Sequence, residues 1–271
     1  WRQVAVLATA AMLATQAAAA GEYSISPLRI TLDRETRSSA VTLTNTGDAP
    51  IDFQAAVMEW QQDPNGLDKY VPTTEIVFFP KILTIRPGEN RVVRIGTQSI
   101  PTAVERTFRL FVEPIPKRSQ EPLPPGANVA VQLCFALPIF VKPPKSDAAG
   151  EIEGAALRAG MLSLVVRNTG NEHLRFDDGA SVAGLDAQGR EGLAHRLGVR
   201  YVLAGAARPL SFQVPKDVCG RLASLEVTAR AEQVTLCIGA NGLDPSCRVS
   251  HVTNLLRGDR VYLTLHMWWT T

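Results

Sequence analysis

Asn128-Val-Ala-Val-Gln-Leu-Cys-Phe-Ala-Leu-Pro-Ile-Phe-Val-Lys142 is the stretch on which the reading of this chain turns. Its odd positions Val129, Val131, Leu133, Phe135, Leu137, Ile139 and Val141 are large and apolar, while Ala130, Gln132, Cys134 and Ala136 between them are small or polar. Alternation with period two is the mark of a β-strand, whose successive side chains point to opposite faces. At roughly 3.3 Å per residue the alternating part from Val129 to Val141 would span about 40 Å, far beyond a usual strand of ~5–6 residues. Pro138 has no N–H to give, which places that part of the strand at the margin of its sheet. No charge lies between Val129 and Val141, although proteins normally blunt apolar edges with charge. Two readings are open: a core strand buried on both faces, or a strand kept available for pairing with another protein.

The rest of the chain supplies a sheet for it. Short alternating segments at residues 39–45, 51–60, 76–85, 91–95 and 107–112 are separated by turn residues, with no helical periodicity, and this spacing predicts an antiparallel β-sandwich. Residues 23–33 read as its first strand. Arg29 lies there among Leu28, Ile30 and Leu32, where a charge is costly unless it has a carboxylate partner or a ligand. The proline-rich residues 114–126 form a loop, and the Pro, Gly and charged residues of 142–151 form a linker. Beyond it Asn168-Thr-Gly170 closes a strand as Asn45-Thr-Gly47 does, which suggests a second, similarly built sandwich. The expected class is therefore all-β, with one domain over residues 21–141, a second over 152–236, and an extension of open structure from 237 to 271.

Composition narrows the function. The 271 residues carry a formal net charge of +2, which gives no reason to expect nucleic acid as a partner. Arg2, the apolar run from Val4 and the small residues up to Ala20 read as a secretory signal sequence over residues 1–20. No second long apolar run follows, so no membrane insertion of the mature chain is expected. Export permits disulfides, and Cys134, Cys219, Cys237 and Cys247 allow several pairings, with Cys134 a candidate to stay free. Neither metal nor cofactor is expected: there is no Cys-x-x-Cys, and His173, His195, His251 and His266 are scattered. No nucleophile, zinc or phosphate-loop motif supports an enzyme, and Asp177-Asp178 beside Gly179 reads as a solvated turn.

Ser26-Pro27-Leu28-Arg29, Phe79-Pro80-Lys81, Ile85-Arg86-Pro87-Gly88, Val93-Arg94-Ile95, residues 108–116 and Leu-Pro-Ile-Phe-Val-Lys-Pro at 137–143 together resemble a pilus assembly chaperone of the chaperone–usher type. The form of the last motif is more like the non-classical (archaic) branch. The resemblance implies two immunoglobulin-like domains at an angle, in the periplasm, with the cleft between them holding a pilus subunit that is passed to an outer-membrane usher. It also implies that the long strand completes the subunit's sandwich, with Val129, Val131, Leu133, Phe135 and Leu137 as the subunit-binding strand. Arg29 matches one of two basic residues that clamp the subunit's terminal carboxylate. The second is missing, since Pro138 or Cys134 takes its place; Arg109 or Lys142 is a substitute, though an inter-domain salt bridge, with Glu113 as a partner, is the simpler use of Lys142. The competing class is a secreted adhesive or structural two-sandwich protein, which would bury the long strand within its own sheet.

Overall fold

The strand expected over residues 23–33 is broken in two in the computed structural model, which describes residues 23–98, 100–116, 133–232, 234–241, 253–257 and 260–264. β1 (Tyr23–Ser26) and β2 (Ile30–Leu32) lie in different sheets, separated by the cis Ser26–Pro27 bond. After β3 (Ser38–Asn45), β4 (Ile51–Gln62) and β5 (Asp68–Pro72), the same break recurs at Pro80. There β6 (Ile76–Phe79) and β7 (Ile82–Ile85) again part to opposite sheets. A proline has no N–H for a ladder, so a run that reads as one strand from its alternation stops there.

β8 (Asn90–Thr97), β9 (Arg106–Pro114) and β10 (Phe135–Val141) complete the first sandwich. One sheet has the order β1-β3-β8-β6, the other β2-β10-β9-β4, with β5 and β7 both paired to β4. Phe53, Ile85, Phe108, Leu110 and Ile139 are buried between them. The alternating residues that predicted strands are the ones that face this core, as in β3, where Val41, Leu43 and Asn45 point inward.

The second sandwich contains β11 (Gly150–Arg158), β12 (Met161–Asn168), β13 (Leu174–Asp186), β14 (Glu191–Leu197), β15 (Tyr201–Val202) and β16 (Ala207–Gln213). A short helix, α1 (Lys216–Cys219), leads to β17 (Leu222–Ala231) and β18 (Thr235–Asn241). Its sheets are β11-β12-β16 and β14-β13-β17-β18, with β15 on β13. β11 starts inside the expected linker, and β18 runs past the boundary expected at Leu236, because its backbone pairs with β17 through Asn241. β19 (Thr253–Arg257) and β20 (Arg260–Thr264) form a two-stranded hairpin, with β20 close to β18. Cys219 is disulfide-bonded and Cys134 is free and exposed.

The Asn-Thr-Gly echo is a structural repeat. Asn45 is buried, its Nδ2 donates to the carbonyls of Ala49 (2.8 Å) and Ile85 (2.9 Å), and its Oδ1 accepts from Gly47 N–H. Asn168 makes the same three bonds, to Glu172 and Val202 carbonyls (2.7 and 2.9 Å) and from Gly170 N–H. Each amide ties the end of a strand to the next turn and to a distant strand, satisfying carbonyls that water cannot reach. Asn45→Ala strands those carbonyls and is expected to cost about 1–3 kcal/mol, read as a lower urea midpoint, with Asn168→Ala behaving alike in the second domain.

Candidate functional site between the two sandwiches

β10 has two neighbours along only part of its length. On one side it pairs with β9 from Phe135 to Val141. On the other, β2 runs parallel to it and covers only Ile139 to Val141. Among the described residues, no strand pairs with that outer edge from Phe135 to Pro138, where the Arg109 guanidinium donates to the Ala136 carbonyl. Pro138 sits on this open part, at the sheet margin that its missing N–H predicts. Leu137, Ile139 and Val141 face the core of their own sandwich, whereas Phe140, on the opposite face, is buried against Trp60 and Leu203. Residues 137–141 are thus buried as a core strand is, while the outer edge is covered by a strand only from Ile139 onward.

The described strand is shorter than the stretch read from alternation. Leu133 and Cys134 precede β10 without strand pairing, and Leu133 is 48% exposed. The Tyr23 hydroxyl donates to the Leu133 carbonyl, and the Tyr23 ring packs edge-on against Phe53 and Phe135. Burial pushes the Cys134 thiol up, with the Glu113 charge adding to it, so this cysteine stays a neutral thiol. Val129 and Val131 lie outside the described residues. Leu137 is 2% exposed and packs in the core of its own sandwich. Phe135 is half-buried on that same core.

Arg29 stands immediately before Ile30, the first β2 residue paired with β10, at the point where the edge opens. Its guanidinium meets Glu232 of the second sandwich as a fork, Nη1 to Oε2 at 3.0 Å and Nη2 to Oε1 at 3.4 Å. Arg175 of β13 approaches the same carboxylate, Nη1 to Oε1 at 3.3 Å, and also pairs with Asp177. Of the two needs a charge in that position has, a partner or a ligand, the structure supplies a partner. The Arg29 hydrogen bond, then the Arg29 and Arg175 charges, hold the Glu232 carboxyl below the ordinary range despite partial burial. A depressed carboxyl contributes stability above the unfolded value of about 4.3, and that contribution is lost as pH falls through the depressed folded value. Carbon-detected NMR should therefore find Glu232 titrating below about 4.3, and Arg29→Gln should move its midpoint upward.

Behind this ion pair the domains are joined by a buried cluster. The Phe140 ring stacks on His173 with centroids 3.6 Å apart, and Trp60 and Tyr201 flank it. Glu105, on the first domain, accepts from the His173 backbone N–H at 2.9 Å and lies 2.8 Å from the ring Nδ1. Gln62 donates to the Tyr201 carbonyl and accepts from Leu203 N–H, and Arg208 donates to the Gly66 carbonyl. Lys142 does form an inter-domain ion pair, at 3.8 Å, but with Glu172; Glu113 instead accepts from Gln54 within its own sheet. The expected Glu113 partner is thus replaced, because β4 lies beside β9 and holds that carboxylate. Arg109 is engaged as well, stacked 3.9 Å over Trp60 and donating to the Ala136 carbonyl. Glu232, Arg175, Glu105 and His173 carry no local sequence signal, since their partners are far away in the chain. Phe140 did carry one: a large ring at an even position among large odd ones marks a strand covered on both faces.

A protein of two immunoglobulin-like sandwiches, joined through a buried seam and carrying a strand with an open edge beside an inter-domain arginine, is the class this fold defines. Residues 22–147 match the family model for pili and flagellar-assembly chaperones, PapD N-terminal domain. No curated protein matches the sequence. Among solved structures, the YadV chaperone is 15% identical, with 78% of this chain and 93% of that chain covered and a TM-score of 0.53. A chain of the complex between Salmonella enterica SafA pilin and the SafB chaperone is 12% identical, with 79% and 94% covered and a TM-score of 0.50. A chain of the CsuC-CsuE chaperone-tip adhesion subunit complex from the archaic Csu pili of Acinetobacter baumannii is 19% identical, with 70% and 89% covered and a TM-score of 0.48. Among the described residues, no helix is long and apolar enough to cross a membrane.

Proposed function

We propose that this protein is a periplasmic chaperone that holds pilus subunits by lending them the strand leading into β10, and delivers them to an outer-membrane usher. The observation that carries the reading is the open outer edge of Phe135 to Pro138 with Arg29 at its end. An incoming strand running parallel to β10 in the lane of β2 would extend that lane, and its C-terminus would arrive at Arg29. Backbone bonds along the open edge give the contact its register, and alternate side chains give it specificity. Leu133, exposed and followed by the half-buried Phe135, begins the lending face; Val129 and Val131 continue its alternation. Arg29 is the anchor for the subunit's terminal carboxylate, since a guanidinium fork suits a carboxylate.

The test is co-expression of this chain with pilus subunits in a periplasm, comparing wild type with Leu133→Glu and Arg29→Ala. Recovery of a soluble one-to-one complex that both substitutions diminish supports the reading. An undiminished complex with Leu133→Glu overturns strand lending and favours a secreted adhesive or structural role.

A further inference from the structure

We infer that the carboxylate anchor is a two-arginine clamp made by Arg29 and Arg175, and that Glu232 occupies it in the unloaded protein as a built-in stand-in for a polypeptide's C-terminal carboxylate. The inference rests on the reading of Arg29 as a carboxylate anchor and names the second basic residue and the competitor of that same site. The family resemblance puts Pro138 or Cys134 at the second basic position, and neither can bind an anion by charge. The tertiary structure brings Arg175 to the place from the other domain. Glu232 Oε1 is shared, 3.4 Å from Arg29 Nη2 and 3.3 Å from Arg175 Nη1, while Oε2 lies 3.0 Å from Arg29 Nη1. One carboxylate thus receives N–H groups from both domains, which is the geometry an incoming carboxylate needs.

The clamp is open to solvent. The side chains of Arg29, Arg175 and Glu232 are 35%, 26% and 38% exposed, so a ligand can reach them without opening the buried seam behind. Charge favours exchange over addition. Arg29 and Arg175 are balanced by Glu232 and Asp177, so a second carboxylate added to the occupied clamp would be in excess, whereas one that replaces Glu232 leaves the balance unchanged. Glu232 also lines an open pocket of about 450 Å³ that leaves its side chain room to swing away, and the wall carries both Arg196 and Arg230 and the carboxylates Asp177 and Asp178, with Arg196 paired to Asp178 at 3.1 Å. An exposed ion pair is weakly held, so a tethered glutamate acts as a modest competitor that a subunit with a lent strand can outcompete. The clamp is thereby kept from free small carboxylates and from chain ends that bring no strand.

The test uses the full chain, with N-acetylglycine as a minimal free C-terminus and N-acetylglycinamide as its uncharged control, followed by NMR of the arginine Nε–H signals. Glu232→Gln is expected to bind N-acetylglycine about threefold or more tightly than wild type, with both the Arg29 and the Arg175 signals moving, and the amide moving neither. Adding Arg175→Gln to Glu232→Gln is expected to abolish that gain. Glu232→Ala, which removes the carboxylate without adding an amide, should show the same tightening and serves if Glu232→Gln does not fold. The inference is overturned if neither Glu232 variant binds more tightly, if Arg175→Gln is silent, or if the amide binds as the acid does. N-acetylglycine brings no strand, so this result stands apart from the co-expression test. Loss of the complex in Leu133→Glu together with no N-acetylglycine response would remove the clamp alone and leave strand lending in place.

Discussion

Leu133→Glu is expected to abolish recovery of a soluble complex with a pilus subunit while leaving the thermal midpoint of the free chaperone unchanged. The second half follows from exposure: Leu133 lies outside β10 and gives its own sandwich little to lose. The first half follows from what a lent strand must bury. Losing a leucine side chain from an apolar groove forfeits about 1.5–3 kcal/mol, and the carboxylate put in its place must be desolvated without a partner, which costs several kcal/mol more unless the strand withdraws. Since each ~1.4 kcal/mol is tenfold in affinity, a combined loss near 4 kcal/mol means roughly a thousandfold weaker complex. Leu133→Ala, which carries only the first loss, should fall between the two. Complex yields from co-expression, set beside melting curves of the free protein, measure both halves.

Phe140→Ala acts in the opposite place, on the seam and not on the edge, and is expected to cost about 3–5 kcal/mol of stability. The ring is fully buried, stacked on His173 and packed with Trp60 and Leu203, so its removal leaves a cavity between the domains. The cavity adjoins the Glu105–His173 contact, whose side chains are 0% and 5% exposed. Water admitted there would weaken a buried polar tie across the seam. Urea unfolding should therefore shift to a lower midpoint and separate into two transitions, one for each domain. An unchanged single transition would mean that the seam contributes little to holding the sandwiches together.

These two substitutions, seven residues apart in one stretch, show where sequence suffices. Period-two alternation identifies strands because side-chain direction is a local property of the backbone, and it found the stretch ending in β10 and the sandwich class. The Asn-Thr-Gly echo was legible for a similar reason, since a buried asparagine bonds to its own turn two and four residues on. Alternation could not show that residues 23–33 and 76–85 each divide between two sheets, because a strand leaving one sheet for another keeps its period. Nor could it show on which side β10 is left open, since pairing depends on where β2 stops.

The carboxylate chemistry divides in the same way. That Arg29 needs an anionic partner follows from the sequence alone, because a guanidinium among Leu28, Ile30 and Leu32 is costly without one. That the partner is Glu232, that Arg175 shares it, and that Lys142 turns to Glu172 rather than Glu113 were decided by the tertiary structure. Ion pairs join atoms a few ångströms apart, and 203 residues of chain separate Arg29 from Glu232. Nothing in local periodicity measures that distance; only the docking of the second sandwich on the first closes it.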